Sequence, residues 1–215
     1  MQITPTVNAT TAQELEEQMI LLCRLTDRIQ IDVADGILIN HKTIPLTHFA
    51  AFCEKHEGQF AGNIFDFHLM VSEWEDVVSD LNELRSIIHI NLILVHQVVF
   101  RRNTSNFFPV GLVLNPEDTV SRETFKHVPA VQIMTVNPGP QGSPFLPQNL
   151  SKISDLRNSG YKGEILLDGG INEVTIPTIL KQSVLPDVLG IGSQLTKSPS
   201  PQEEFKQLTD LIRKY

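Results

Sequence analysis

The chain has 215 residues, enough for one large hydrophobic core, and its composition and charge restrict what it can bind. Apolar residues make up 41 % and charged residues 20 %, as in ordinary globular proteins. The net charge of −8 argues against nucleic acid or an anionic membrane surface as the main partner. A small anion remains compatible with this charge, because backbone N–H groups at helix starts can bind phosphate.

The cysteines and the apolar segments favour a cytoplasmic enzyme. Cys23 and Cys53 lie outside any CxxC motif and are predicted to be reduced structural thiols. No charged-then-apolar leader opens the sequence. The most apolar stretch, residues 87–100, is too short and too polar to cross a bilayer, so we expect no membrane partner.

A short β-branched run, a turn and a segment of helical period alternate along the chain, without a linker or a repeat. Strands are predicted at Gln2–Val7, Arg28–Val33, Phe60–His68, Asn91–Val95, Val110–Leu114, Val131–Val136, Glu164–Leu167 and Val188–Ile191. Strands alternating with helices predict right-handed parallel βαβ units, and eight of them predict a closed (β/α)8 barrel. Residues 1–215 would form this barrel as one domain. A doubly wound open sheet is the structural alternative.

Helix signals fall between the predicted strands. Residues 11–14 form a capping-box pattern. The one-sided apolar stripe that follows is formed by Leu15, Met19, Leu22 and Cys23. Pro147 suits the first turn of a helix that ends at Gly160. A closing helix is predicted over residues 202–214, whereas residues 96–111 leave room only for a short or irregular helix.

Ionisable residues end three of the predicted strands. Asp32 ends the second strand, His68 ends the third, and Asp168 follows the seventh. Because the carboxyl ends of barrel strands converge, these side chains can meet as an acid/base pair with a metal ligand. Gln30 shares a strand face with Asp32 by period-two alternation. The alternatives are turn or cap roles for the aspartates, which Asp35 fits well, and a structural role for the histidine.

Glycine-containing segments follow the last three predicted strands. Glycine lets backbone approach a ligand closely, and the loops after strands seven and eight of such barrels commonly form a phosphate site. The predicted phosphate-binding residues are Gly139, Gly142, Ser143, Gly169, Gly170, Gly192 and Ser193.

Five segments resemble the ribulose-phosphate 3-epimerase family, in order and at similar spacing over nearly the whole chain. Residues 32–36 read D-V-A-D-G against the family's D-V-M-D-G, and residues 168–172 match its D-G-G-I-N. The others are residues 5–6 (P-T against P-S), 65–71 (against D-x-H-L-M-V) and 134–139 (against M-[TS]-V-x-P-G). The resemblance implies a TIM barrel that inverts C3 of a ketopentose 5-phosphate, interconverting ribulose and xylulose 5-phosphates.

The resemblance also implies roles for individual residues. Asp32 and Asp168 would lie on opposite faces of the substrate, one removing the C3 proton and the other returning a proton through a cis-enediolate. A divalent metal ion at Asp32, His68 and Asp168 would stabilise the developing oxyanion. The substrate pocket would include Thr6, Met70 and Met134. The partner would be a small phosphorylated ketose, and we expect a homo-oligomer.

Gln30 departs from the family pattern, which has a histidine metal ligand at this position. An amide carbonyl is a harder and weaker donor than imidazole. Zinc or Fe²⁺ would therefore bind less tightly, and selectivity would move toward Mn²⁺ or Mg²⁺. Two alternatives are that Gln30 only hydrogen-bonds a neighbour, leaving three protein ligands, and that the site binds no metal.

Other departures leave three functional alternatives open. Asn8 places an amide where the first strand is usually apolar, and Ala34 replaces a methionine. One alternative is a 3-epimerase of another ketose phosphate, such as a ketohexose 6-phosphate. Another is a phosphosugar-binding barrel without turnover. Decarboxylation or aldol chemistry is disfavoured, because such sites usually carry a D-x-K pair and Ala34 stands at the lysine position.

Overall fold

In the computed structural model, which describes residues 1–56, 58–100, 107–139 and 142–214, eight parallel strands close into a barrel. The strands are β1 (Gln2–Val7), β2 (Arg28–Ala34), β3 (Ile64–Met70), β4 (His89–His96), β5 (Val110–Leu114), β6 (Ala130–Met134), β7 (Glu164–Asp168) and β8 (Val188–Ile191). The barrel closes where β8 pairs with β1, from Gln2 with Val188 to Pro5 with Ile191. This closure confirms the predicted fold class and excludes the open-sheet alternative.

Helices follow the strands and pack around the barrel. They are α1 (Ala12–Leu22), α2 (Leu46–Lys55), α3 (Trp74–Leu84), α4 (Arg122–Phe125), α5 (Ser151–Asn158), α6 (Ile176–Leu180), α7 (Ser193–Thr196) and α8 (Pro201–Arg213). A 3₁₀ turn over Pro147–Leu150 leads into α5, as the proline predicted. The predicted short helix between β4 and β5 falls partly on residues 101–106, outside the described residues. None of the described helices has the length and hydrophobicity that a bilayer crossing requires.

The capping box at the start of α1 is confirmed. The Thr11 side chain accepts the Glu14 backbone N–H at 3.2 Å, and the Glu14 carboxylate accepts the Thr11 N–H at 3.3 Å. Behind this cap, Leu15, Met19 and Leu22 are buried against the barrel. The cap therefore fixes where the helix begins, and the apolar stripe fixes which face it buries.

The third strand begins four residues later than the apolar run predicted. Phe60 is buried, but it lies in a turn and packs on Phe52 of α2, with ring centroids 5.5 Å apart. Asn63 holds the end of this turn by donating to the backbone carbonyls of Cys23 and Thr26. Burial in a turn explains why hydrophobicity alone placed the strand start too early.

Two apolar clusters lie on the two sides of the strands. The larger cluster fills the layer between barrel and helices, and Leu167 of β7 belongs to it. The smaller cluster lies inside the barrel and consists of Leu92, Leu94, Val113, Ala130, Met134, Val136, Leu166 and Val188. Successive residues of a strand point to opposite faces, so neighbours such as Leu166 and Leu167 fall in different clusters.

Polar residues interrupt the interior at the amino end of the barrel. Arg28 donates from Nε to Asp66 at 2.6 Å and from both Nη atoms to Glu164 at 2.7 Å. Asn91 donates to the other oxygen of Asp66 at 2.6 Å. We call these four residues the amino-end cluster. Because its charged groups are fully engaged with one another, it ties β2, β3, β4 and β7 together inside the barrel.

Candidate active site

A cavity opens at the carboxyl ends of the strands, and nearly all the predicted site residues line it. Its volume of about 370 Å³ is in the range of small-ligand sites. The predicted residues in its lining are Thr6, Asp32, His68, Met70, Met134, Gly139, Gly142, Ser143, Asp168, Gly169, Gly170, Gly192 and Ser193. Gln30 is buried directly beside the cavity, in contact with Asp32 and Asp168.

Three ionisable side chains from β2, β3 and β7 converge at the cavity. His68 is buried, and its Nδ1 lies 3.3 Å from Asp32 Oδ1 and 3.5 Å from Asp168 Oδ2. One donor atom from each of the three residues lies within 4.8 Å of the other two. The structure thus brings together the three residues that the strand ends predicted. With Gln30 we call them the carboxyl-end cluster.

A chain of hydrogen bonds behind His68 fixes which ring nitrogen faces the carboxylates. His96 Nδ1 lies 2.9 Å from Asn115 Oδ1, an acceptor, so Nδ1 of His96 carries the proton. The lone pair on His96 Nε2 then accepts the proton on His68 Nε2 at 2.9 Å. In the neutral form of His68, this arrangement leaves the Nδ1 lone pair directed between Asp32 and Asp168.

The two histidines have opposite pKa shifts. Burial lowers the pKa of His68, but Asp168 and Asp32 more than offset this and raise it to about 9. Burial, together with the neighbouring charge on His68, lowers the pKa of His96 to about 3. His96 therefore stays neutral and accepts a hydrogen bond, while a proton or a metal ion can occupy His68 Nδ1 between the carboxylates.

Two glutamine side chains hold the carboxylates from inside the barrel. Gln30 Nε2 donates to Asp32 Oδ1 at 3.1 Å and to Asp168 Oδ2 at 2.8 Å. Gln132 Nε2 donates to the same oxygen of Asp168 at 3.1 Å. Gln132 was missing from the predicted site, although it shares the inward face of β6 with Met134, two positions later. Period-two alternation along β6 would have indicated it.

The site contains a third amide, which follows β1 and contacts Asp32. Asn8 lines the cavity and donates from Nδ2 to Asp32 Oδ2 at 2.9 Å. Its own carbonyl oxygen lies 2.8 Å from Nε2 of His41, in the loop after β2. The sequence marked Asn8 as a departure from the family without giving it a role. It gave no signal that His41 lies beside Asn8.

The donor atoms fit a divalent metal ion with three protein ligands. Among the described residues, His68 Nδ1 is buried without a hydrogen-bond partner, because its approach to each carboxylate lacks hydrogen-bond geometry. Donors bound side by side to one ion at bond lengths of ~2.1 Å lie about 3 Å apart, close to the separations of His68 Nδ1 from Asp32 and Asp168. Gln30 is turned the other way and presents its nitrogen, as a hydrogen-bond donor rather than a ligand.

Backbone turns form the other side of the cavity. Gly169 has φ +107°, and a Cβ there would lie 2.4 Å from a methyl carbon of Val136, so this turn requires glycine. The single hydroxyl proton of Thr135 lies within reach of the carbonyls of Gly169, at 2.6 Å, and Asp168, at 3.0 Å, and ties the β6 end to this turn. In the described part of the lining there is no lysine or arginine. Backbone N–H groups are therefore the available donors for an anion there.

Asp35 is confirmed as a turn residue. Its Oδ1 accepts the backbone N–H groups of Ile37 and Leu38, and its Oδ2 accepts two hydrogen bonds from Ser72. These bonds lower the pKa of Asp35 in spite of the opposing effect of its burial. The carboxylate holds the loop after β2 and is fully engaged away from the carboxyl-end cluster.

The fold and the cavity define a TIM barrel with a carboxylate pair and glycine-rich turns at the carboxyl ends of its strands. The family model described as the ribulose-phosphate 3 epimerase family matches residues 2–196. The chain belongs to the ribulose-phosphate 3-epimerase family, as a divergent member.

The relatives agree with this family assignment, and the solved structures agree with the fold. The chain is 25 % identical to the ribulose-phosphate 3-epimerase of Schizosaccharomyces pombe, over 99 % of this chain and 94 % of the relative. It is 33 % identical to that of Treponema pallidum, over 77 % of each. Among solved structures, 3-hexulose-6-phosphate synthase from Salmonella typhimurium has a TM-score of 0.64 at 15 % identity, covering 100 % of this chain and 99 % of that one. This last likeness shows the fold alone.

Proposed function

We propose that the protein is an epimerase that inverts C3 of a ketopentose 5-phosphate, interconverting D-ribulose 5-phosphate and D-xylulose 5-phosphate. Membership of the epimerase family supports this activity. The observation that carries it is the convergence of Asp32 and Asp168, from β2 and β7, in the cavity that also contains the glycine turns. Epimerisation needs one acid/base group on each face of the reacting carbon, and two strand-end carboxylates can supply both.

Proton transfer follows from this pair. One aspartate takes the C3 proton, and the electrons of the broken C–H bond form the C2–C3 double bond while the C2 carbonyl oxygen becomes anionic. The other aspartate, which starts protonated, donates its proton to C3 from the opposite face as the carbonyl reforms. The two aspartates exchange roles in the reverse direction, so each must reach both protonation states.

Charge on the C2 oxygen is the main energetic obstacle, because a carbon acid next to a ketone is far weaker than a carboxylic acid. We assign Asp32, His68 and Asp168 as ligands of a divalent ion, which would supply Lewis-acid stabilisation of this oxygen. Zinc, Fe²⁺, Mn²⁺ and Mg²⁺ are the candidates, and the carboxylate-rich ligand set with Gln30 outside it favours the harder Mn²⁺ and Mg²⁺. Gln30 then keeps the two carboxylates in place through its N–H groups.

The remaining cavity residues bind the sugar phosphate. The backbone of Gly139, Gly142, Gly169, Gly170 and Gly192, with Ser143 and Ser193, would hold the phosphate. The sugar would contact Thr6, Met70 and Met134, which line the same cavity. A phosphate bound at the glycine turns would hold C3 at a fixed distance from the acid/base pair. Phosphate binding would thereby orient the reacting carbon.

Composition and family membership support proposals about the domain organisation, the oligomeric state and the binding partner. We propose that residues 1–215 act as one domain, as a cytoplasmic homo-oligomer. A net charge of −8 argues against nucleic acid as a partner, and membership of the family supports a small phosphorylated ketose as the ligand. Size-exclusion chromatography with light scattering would measure the oligomeric state, and a monomer at all concentrations would contradict that part of the proposal.

The test is a product assay on metal-stripped protein with each ion added back separately. D-ribulose 5-phosphate and a ketohexose 6-phosphate are supplied in parallel. Formation of D-xylulose 5-phosphate, strongest with Mn²⁺ or Mg²⁺, supports the proposal. Turnover of the ketohexose phosphate alone would reassign the substrate. Binding of both compounds without product under any ion would contradict catalysis and indicate a phosphosugar-binding barrel.

A further inference from the structure

The Asp32 carboxylate is held on both oxygens by different neighbours. Oδ1 accepts from Gln30 and faces His68, on the side that we assign to the metal ion. Oδ2 accepts from Asn8 Nδ2 at 2.9 Å, and Asn8 lines the same cavity. A partial rotation of this carboxylate about its last bond would turn Oδ1 away from Gln30 and His68. The Asn8 hydrogen bond opposes that rotation.

Three side chains, those of Asp32, Asn8 and His41, are linked by hydrogen bonds, and the acceptor atoms determine how each one is oriented. Asp32 in its ionised form only accepts, and the Asn8 amide turns its nitrogen to that carboxylate. Its carbonyl oxygen then faces His41 Nε2 at 2.8 Å, and that oxygen only accepts. His41 must therefore carry a proton on Nε2. A flip of the Asn8 amide would lose both hydrogen bonds, so its two partners determine its orientation.

The loop that carries His41 is tied to the ends of β1 and β2. Thr43 is buried, its Oγ1 accepts the Ala34 N–H at 2.9 Å, and its own N–H donates to the Ala34 carbonyl at 3.1 Å. Ile44 donates its N–H to the carbonyl of Ala9 at 2.9 Å, one residue beyond Asn8. Both partners of the His41–Asn8 hydrogen bond are thus anchored to the barrel.

The two carboxylates differ in this respect. Gln30 and Gln132 both donate to Oδ2 of Asp168, the oxygen that also faces His68. Asp32 instead receives Asn8 on the oxygen turned away from His68. A polar cap for the end of β1 would not need to reach Asp32. The hydrogen bond from Asn8 therefore acts to orient the Asp32 carboxylate.

We propose that Asn8 and His41 are positioning residues that fix the rotation of the Asp32 carboxylate for proton transfer. This inference rests on the proposed epimerase function. His41 orients Asn8, and the Asn8 hydrogen bond holds the plane of the Asp32 carboxylate so that its other oxygen faces His68. Hydrogen-bonded partners of catalytic groups typically contribute 10–100-fold to activity. The effect should appear in kcat, because the carboxylate is misplaced while the phosphate and sugar contacts persist.

Kinetics of four variants test the positioning role. Asn8→Leu has nearly the same shape without the amide and should lower kcat by about 10–100-fold with KM within ~3-fold. His41→Leu should lower kcat by about 10-fold, whereas His41→Gln, whose amide N–H can replace the Nε2–H, should recover most of it. His48→Leu, an exposed histidine on α2, is the matched control and should leave turnover unchanged. A raised KM with unchanged kcat in Asn8→Leu, or equal loss in His41→Gln and His41→Leu, would overturn the proposal.

Nitrogen NMR of the histidine side chains, at about pH 8, tests the hydrogen bonds without requiring turnover. Wild-type His41 should show the Nε2–H tautomer with the shift of a hydrogen-bonded N–H, and Asn8→Leu should remove that hydrogen-bond shift while the signals of His48 stay unchanged. An Nδ1–H tautomer of His41 in the wild type would overturn the proposal. If the wild type showed the predicted tautomer but no turnover, the hydrogen bonds would be correct. The epimerase function, and with it the catalytic role of these hydrogen bonds, would be contradicted.

Discussion

The amino-end cluster and the carboxyl-end cluster share three strands, to which Asn91 of β4 is added at the amino end, and they have opposite chemical character. β2 carries Arg28 and Asp32, β3 carries Asp66 and His68, and β7 carries Glu164 and Asp168. At the amino end, one guanidinium makes hydrogen bonds at 2.6–2.7 Å to both carboxylates. At the carboxyl end, two carboxylates share one imidazole, approached at 3.3 and 3.5 Å.

The comparison shows how one barrel separates stability from reactivity. Buried ionic groups that satisfy one another are costly to break and have no capacity left for a ligand. Carboxylates that share an incompletely bonded imidazole and border a cavity retain that capacity. Substitutions at the amino end should therefore change stability, and substitutions at the carboxyl end should change activity.

Removing either acid/base carboxylate should have the largest effect. Asp32→Asn and Asp168→Asn preserve shape but cannot accept the C3 proton, so each should reduce epimerisation by about 10³-fold or more. Neither variant should unfold the barrel. The measurement is turnover of D-ribulose 5-phosphate beside a thermal melt. Asp80→Asn, at an exposed position of α3, is the control. Turnover within ~10-fold of wild type in either variant would remove that residue from the proton path.

Breaking the amino-end cluster should instead cost stability. Arg28→Met leaves the buried Asp66 and the partly exposed Glu164 without their cation and should lower the free energy of unfolding by about 3–5 kcal/mol. Urea denaturation measures this loss, and kcat of the folded enzyme should change little. Lys55→Met removes an exposed ion pair with Glu16 and should change stability by less than about 0.5 kcal/mol. Equal effects of the two substitutions would contradict the structural role of the cluster.

The histidine behind the metal site should control metal affinity. His96→Leu removes the acceptor that holds the proton on His68 Nε2, so Nδ1 is no longer fixed as the ligand atom. Mn²⁺ affinity measured by calorimetry should fall by about 10–100-fold. His89→Leu, at the exposed start of the same strand, should bind Mn²⁺ as wild type does. If His96→Leu retained full affinity, the tautomer would not depend on this hydrogen bond.

The smallest predicted effect is a trade between stability and activity at Gln132. Its Oε1 is buried without a hydrogen-bond partner among the described residues. Gln132→Leu should therefore stabilise the protein by about 1 kcal/mol and lower kcat by about 10-fold, because Asp168 loses one of its donors. Paired urea denaturation and kinetics measure both quantities. A loss of stability with unchanged kcat would mean that Gln132 serves the fold alone.

Most of the site residues that could be predicted from the sequence lie at or just after the ends of strands. Asp32 and Asp168 each close an apolar strand, His68 lies near the end of the third strand, and parallel strands in a barrel bring such ends together. The start of β3 was placed too early because Phe60 is apolar and buried yet lies in a turn. Burial and strand geometry are separate properties, and a single sequence reports mainly the first.

Hydrogen-bond partners across the barrel could not be predicted in the same way. Arg28 meets Glu164 across 136 positions, and Asn8 meets His41 through a loop whose path depends on Thr43. Which side chains meet inside a barrel depends on the register and tilt of its strands, which no local pattern contains. The orientation of Gln30, nitrogen toward both carboxylates, likewise follows from the acceptors around it.

The most direct test of the carboxylate pair is proton NMR of D-ribulose 5-phosphate in D₂O, with metal-stripped protein and Mn²⁺, Mg²⁺, Zn²⁺ or Fe²⁺ added back separately. The account predicts that the C3 proton signal disappears as xylulose 5-phosphate forms, in wild type and not in Asp32→Asn or Asp168→Asn. A C3 signal that persists with wild-type protein under every ion would contradict proton transfer by Asp32 and Asp168.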